Sequence, residues 1–276
     1  MANEKRVLLF GDTHCGHCVG LTHPRYQYGY KGKDRTKRDK FGVVQRECWT
    51  AWERILADFA PIDVAIHHGD AIDGKGKRSG GTELITTSLE EQCDMAADVI
   101  TQIRLHARRG FKLFGVYGTP YHVGGSDGED WENILADRAG FDKLGSHEWI
   151  DVGGIVFDVK HKVGSSGIPH GRATAIKKEE LWNTLWHDAD MQPRADVLTR
   201  GHVHFYQHTD TVTRGKVVHA STLPALQAMG SKYGARQCSG LVHFGAVLVT
   251  VKGGKVTGWH PNIVDIRAQK ARVVKA

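Results

Sequence analysis

The chain has 276 residues, 40% of them hydrophobic, enough to bury a substantial core as one domain over 1–276. Five cysteines are too few for a disulfide framework, and no stretch approaches the roughly 18 apolar residues that span a bilayer; a cytoplasmic protein with reduced thiols and no membrane attachment is expected. The net charge of +6 means by itself only a basic surface, but its distribution says more.

In chain order, Val7 to Phe10 reads as a strand buried in a parallel sheet: four contiguous apolar residues bounded by charge and glycine. It runs directly into "GDTHCGH", which puts Asp12 and His14 on alternate positions. "CGHC" (Cys15 to Cys18) has redox or zinc spacing, but no second pair follows to complete a four-thiolate site, so these cysteines read as loop residues. A basic loop over about 21–40 follows. From Arg25 to Lys40 it holds seven Lys or Arg against two Asp, with Tyr26, Tyr28 and Tyr30 interleaved.

Phe41, Val44, Cys48, Trp52, Ile55 and Leu56 recur at helical spacing, with Asp39 as the expected N-cap and Pro61 beyond the end. "DVAIHHGD" is a second strand ending at Asp70, with "GKGKR" (Gly74 to Arg78) close behind. "TSLEEQCDMAADVITQIRLHARRG" predicts a helix opened by a Thr or Ser cap and closed by basic residues and Gly110. "FKLFGVYGTPYH" is a third strand running into a glycine turn. This alternation predicts an α/β layer with a mainly parallel sheet. After a short helix in "EDWENILADRAG", alternating Val, Ile, Phe and Thr with glycine turns predict antiparallel strands, interrupted by one helix at about 173–187. The tail at about 267–276 is basic and expected to be mobile.

Open α/β sheets bind ligands beyond the carboxyl ends of their strands. Asp12 and His14 follow the first strand, Asp70 the second and "GTPYH" (Gly118 to His122) the third; His161 ends a later one, and "GHVH" (His202, His204) follows "DVLTR". Each pair alone is weak, but all of them after strands form a strong set. Imidazole and carboxylate suit Mn²⁺, Zn²⁺ and Fe, whereas Mg²⁺ and Ca²⁺ sites rely on oxygen. Two such ions about 3.5–4 Å apart clamp a phosphate and make a hydroxide available near neutral pH.

Other residues read more plainly. A turn cap explains Asp12 but not His14, so the metal reading leads there. His67 and His68 are expected in the core or supporting the site, His17, His23 and His170 in loops, and Asp73 as a turn acid. Trp49, Trp52, Trp182 and Trp186 fall at helical spacing and are expected in the core.

The order D-x-H, G-D, glycine turn with histidine, lone His and G-H-x-H resembles the calcineurin-like metallophosphoesterase family, over roughly Arg6 to Phe205. The resemblance implies a four-layer α/β/β/α sandwich with mixed central sheets and two divalent ions, Mn²⁺ first, then Zn²⁺ or Fe. By motif, Asp12, His14 and His204 would hold one ion and His161 and His202 the other, with Asp70 bridging. The family's Gly-Asn-His is replaced here by "GTPYHVGG": Thr119 stands where Asn would be, Pro120 where His would be, and His122 follows two residues later. Thr119 and His122 are thus further candidate ligands, and His122 is alternatively the general acid beside Asp70.

The basic loops bear on substrate. Tyr26, Tyr28, Tyr30, Lys31 and Lys33 follow the first metal loop, and Lys75, Lys77 and Arg78 follow Asp70. Cations neutralise successive phosphates and tyrosine faces stack on bases, each stack contributing roughly 1–3 kcal/mol. A nuclease or nucleotide phosphodiesterase is therefore expected, ahead of a phosphomonoesterase on small or protein phosphates and of a non-catalytic binding module on the same fold. Sequence leaves the oligomeric state open.

Overall fold

A computed structural model describes residues 3–28, 38–124, 130–166, 168–213, 215–229, 241–269 and 273. Two sheets carry the fold. The first has the order β11-β10-β1-β2-β3-β4, from β1 (Lys5–Phe10), β2 (Ile62–His67), β3 (Ala107–Val116), β4 (Lys143–Gly145), β10 (Phe244–Lys252) and β11 (Lys255–Val264). The second has the order β5-β6-β7-β9-β8, from β5 (Glu148–Val152), β6 (Ile155–Lys160), β7 (Val197–Arg200), β8 (Gln207–Thr213) and β9 (Lys216–Thr222).

Both sheets are mixed. β1 to β4 pair in parallel while β10 and β11 add antiparallel; in the second, β6-β7-β9 pair in parallel between antiparallel edges. The second half of the chain is therefore less antiparallel than its alternating pattern suggests. Crossovers bring β6, β7 and β9 side by side, a pairing that strand texture does not encode.

Alternation along the strands divides the core. Leu8, Phe10, Ala65 and Leu113 face a cluster built with α1 (Val43–Phe59), α2 (Leu89–Thr101), Val123 of the short α3 (Pro120–Val123) and Leu135 of α4 (Trp131–Ala139). Val7, Leu9, Val64 and Ile66 face the second sheet, packing with Phe157, Val159 and Val197. On that sheet's far side Leu198 and Ala220 meet Ile176 of α5 (Arg172–Asp188). The layers are thus helix, sheet, sheet, helix, the order that the motif resemblance implies.

Helix limits follow local chemistry. Ser88 caps α2, accepting from Glu91 N at 3.2 Å, and Asp130 caps α4, accepting from Glu132 N at 2.9 Å. α1 starts later than expected: a π-turn over Arg38–Gly42 precedes it and Gly42, not Asp39, is its N-cap. α2 stops at Thr101, a 3₁₀ segment occupies Gln102–His106, and Gly110 lies inside β3 instead of closing the helix.

Trp49 and Trp52 are buried, but Trp182 and Trp186 are 47% and 43% exposed on the outer side of α5, so their spacing marks a solvent face. Cys15, Cys18, Cys48 and Cys93 are buried free thiols, and burial pushes Cys15 up to about 12, far from the reactive thiolate range. Among the described residues no helix is long and apolar enough to cross a membrane. The tail expected to be mobile, and the central part of the basic loop, lie largely outside the described residues.

Candidate metal centre

β1, β2 and β3 run parallel, so their carboxyl ends open on one edge of the first sheet; β6 and β7 do the same in the second. The first two loops continue the β1–β2 ladder past the strands: Asp12 N donates to Gly69 O, His14 N to Asp70 O and Cys15 N to Ala71 O, at 2.9–3.0 Å. The expected ligand residues are thereby fixed by backbone bonds before any side chain is considered.

The side chains form two adjoining groups. In the first, His14 Nε2 lies 3.2 Å from His204 Nε2, and Asp12 Oδ1 lies 3.3 Å from His204 Nε2 and 3.9 Å from His14 Nε2. In the second, Asp70 Oδ2 lies 3.1 Å from His161 Nε2, with His202 completing the set. Asp70 Oδ2 is also 4.0 Å from His14 Nε2, which places this carboxylate between the groups. Thr119 Oγ1 sits 3.2 Å from His161 Nε2, 3.3 Å from His202 Nδ1 and 3.3 Å from Asp70 Oδ2. Thr119, which stands where the resemblance expects asparagine, thus turns its hydroxyl into the second group.

All six expected ligands converge, and the backbone is strained to bring them together. Among the described residues the non-glycine positions with positive φ are Asp12 (48°), His14 (42°), Asp70 (52°), His202 (71°), His204 (56°) and Asp190 (57°). Five of these six are site residues. Such conformations persist only where surrounding structure enforces them, and they cluster at functional sites. Gly118 contributes by having no side chain, since a Cβ there would stand 2.2 Å from both Asp70 N and Asp70 Oδ1.

The supporting contacts fix ring orientation. His14 Nδ1 lies 3.0 Å from Asp73 Oδ1, so Nδ1 carries the proton and Nε2 turns toward His204. Asp73, expected as a turn acid, is therefore part of the site's scaffold. His161 Nδ1 donates to His68 O at 2.6 Å, and His68 Nε2 pairs with Thr199 Oγ1 at 2.8 Å. His202 N approaches Asp12 Oδ2 at 3.0 Å. Glu132 on α4 supports the site without any signal in the sequence. Its carboxylate accepts from Ala71 N at 3.0 Å and Gly118 N at 2.5 Å, tying together the loops that carry Asp70 and Thr119. Nothing local in "DWEN" marks it, because only the packing of α4 puts it there.

His122 stands on the first group's side. Its ring lies edge-on to His14 with centroids 4.7 Å apart, and its Nδ1 donates to Asp73 O at 2.9 Å. His17 is buried beside Glu83, 3.6 Å away, instead of solvated, and His23 packs edge-on against Trp49.

The substrate residues divide. Tyr28 is 5% exposed and packs in the core near Phe41, which corrects its expected role as a stacking face. Tyr26 is half-buried with the Arg25 guanidinium 4.6 Å above its ring, so that face is covered. Lys75 and Lys77 are exposed on the turn after Asp73. Tyr30, Lys31, Lys33 and the Arg78 side chain lie outside the described residues.

Electrostatics favour cations here. Burial alone would raise Asp12, yet His204 and His161 hold it at about 2, and Asp70 is likewise driven far down against burial by His161. Burial disfavours the charged form of His161, but Asp70 and Asp12 raise it to about 9, and Asp12 raises His204 against the same penalty. Buried carboxylates therefore gather positive charge, as protons or as metal. Imidazole nitrogens facing one another across carboxylate oxygens are the donor set of borderline divalent ions, so these residues fit two such ions.

A group that binds its proton more tightly folded than unfolded stabilises the fold below its unfolded pKa and loses that contribution as pH rises through the folded value. For His161 the window runs from 6.5 to about 9. Glu132, which burial pushes up to about 8, acts in the same direction. The thermal midpoint of EDTA-treated protein is expected to fall between pH 6.5 and 9, and Mn²⁺ to restore it most at the alkaline end. Calorimetry across that range checks this; a flat profile, or one rising with pH, contradicts it.

No family model matches the chain, and no curated protein does. Among solved structures, the chain is similar to an archaeal phosphodiesterase at 11% identity and a TM-score of 0.41, covering 94% of this chain and 99% of that one. It is similar to the phosphoesterase YfcE from E. coli at 10% identity and a TM-score of 0.38, covering 92% and 97%. It is also similar to the sulfate thiohydrolase SoxB of Thermus thermophilus at 12% identity and a TM-score of 0.40, where 96% of this chain covers 57% of that protein.

Proposed function

We propose that this chain is a hydrolase of phosphate esters that depends on two divalent metal ions, and that its substrates are phosphodiesters of nucleic acids or nucleotides. The observation that carries the reading is the convergence of Asp12, His14, Asp70, His161, His202 and His204 from loops far apart in sequence, five of them in strained left-handed backbone. Asp12, His14 and His204 would hold one ion, His161, His202 and the Thr119 hydroxyl the other, and Asp70 would lie between them. Mn²⁺ is the first choice, with Zn²⁺ or Fe as alternatives. When bound, the ions supply Lewis acidity toward a phosphoryl oxygen and lower the pKa of water to about 7.

The chain's own residues do the rest. Asp73 keeps His14 in the tautomer that presents Nε2, and the His68 carbonyl does the same for His161. Glu132 holds the Gly118 turn against the Asp70 loop. His122, with Nδ1 engaged by Asp73 O, has Nε2 to carry a proton to the leaving oxygen. Lys75 and Lys77, exposed on the turn after Asp73, support a polyanionic substrate.

Turnover of bis(p-nitrophenyl) phosphate against p-nitrophenyl phosphate in Mn²⁺ tests the choice of substrate. The diester is expected to be the faster. A strong monoester preference would favour the phosphomonoesterase reading, and no turnover of either with metal bound would favour a binding module.

A further inference from the structure

We propose that His208, Asp210 and His219 form a further metal site, sharing no residue with the strand-end centre, that takes one divalent transition ion of the class imidazole prefers: Zn²⁺, Cu²⁺ or Ni²⁺. The site is built into the β8–β9 hairpin at the edge of the second sheet. Strand alternation puts residues 208 and 210 on one face, and the antiparallel register sets Asp210 directly opposite His219, so all three side chains share that face. A ligand pair two apart on one strand with a third across the ladder gives three donors from rigid backbone.

The distances fit an ion. Asp210 Oδ1 lies 2.9 Å from His208 Nε2 and 2.8 Å from His219 Nδ1. With metal–ligand bonds of roughly 2.1 Å, neighbouring donors stand about 3.0 Å apart on an octahedron and about 3.4 Å apart on a tetrahedron, so the spacing matches an octahedral edge with water free to fill the other positions. His208 Nε2 is buried and, although close to the carboxylate, makes no aligned hydrogen bond. That nitrogen has a geometry in search of a partner.

Ring orientation decides whether both imidazoles can serve one ion, because a ring nitrogen coordinates in the ring plane. His208 stacks on Trp259 at 4.2 Å and 1°, His219 lies 5.6 Å from Trp259 at 15°, and the two imidazoles are 5.7 Å apart at 15°. Two stacked layers would separate the outer rings by about 7 Å, more than any of these distances. Both imidazoles therefore lie side by side on one face of the indole, where in-plane donors converge. Trp259, from β11 of the other sheet, is itself fixed by its Nε1 donating to the Tyr206 hydroxyl at 2.9 Å. Asp210 is about half exposed, which gives an ion a path in from solvent. The neighbouring cation, Lys177, is engaged by Glu180 at 3.0 Å.

The test strips the protein with EDTA, equilibrates it with Zn²⁺, removes free metal by gel filtration and counts zinc per chain by elemental analysis. Wild type is compared with Asp210→Asn and His219→Ala. Each variant is expected to hold one ion fewer than wild type, with Mn²⁺-supported hydrolysis and circular dichroism unchanged. Equal zinc in wild type and Asp210→Asn would overturn the proposal. Should His219→Ala fold poorly, the near-isosteric change at the exposed Asp210 carries the comparison. Failure of the strand-end centre would lower the count equally in all three proteins and leave the difference of one intact.

Discussion

In protein loaded with Mn²⁺ alone, Asp70→Asn is expected to yield a folded chain whose manganese content falls from near two ions to below one, with hydrolysis reduced more than about a hundredfold. Changing a residue that merely supports a ligand typically costs 10–100-fold in metal affinity or activity, and Asp70 would be the ligand common to both groups. Its carboxylate is 2% exposed, faces His161 Nε2 at 3.1 Å and His14 Nε2 at 4.0 Å, and accepts from Thr119 N at 2.5 Å. An amide keeps the volume and can still accept from Thr119 N, so the loop should stand, but it removes the negative charge that would compensate two cations in a buried site. Elemental analysis beside a hydrolysis assay reads both effects. Unchanged metal and activity would remove Asp70 from the bridging position.

Gly118→Ala should be almost as damaging, for a steric reason. The added methyl would stand 2.2 Å from Asp70 N and Oδ1 and 2.8 Å from Asp70 Cα, contacts that no rotamer relieves because two of them are backbone. The turn would have to withdraw, taking with it the Thr119 hydroxyl and the N–H that Glu132 holds. Overpacking of this kind destabilises by roughly 1–3 kcal/mol, and a displacement of about 1 Å at reacting groups costs on the order of 10² in rate. Gly164→Ala is the control: its Cβ would meet only Ala175 Cβ at 3.9 Å, so stability and rate should hold. Denaturation and kinetics of the two variants side by side check the contrast, and equal behaviour would show that the close approach at Gly118 does not matter.

The sequence by itself determined the candidate ligand set and the strand ends that carry it. A contiguous apolar run followed by Gly-Asp or Gly-His is a local statement, and parallel strands must deliver such residues to a common edge. The four layers were implied by the motif resemblance, but packing decided that Leu8 and Phe10 face the helices while Val7 and Leu9 face the other sheet. What tertiary structure decided is everything that depends on a partner distant in the chain. Asp73 looks like any turn acid until His14 is 3.0 Å away, and Glu132 looks like a solvated helix residue until α4 packs behind the Gly118 turn. Tyr28 and Trp182 show the same limit from the opposite side: periodicity and composition fix which residues share a face, but only the packed fold settles whether that face meets protein or water. His208, Asp210 and His219 became a cluster only when the β8–β9 register set two strands against one another, because side chains converge by pairing and not by proximity along the chain.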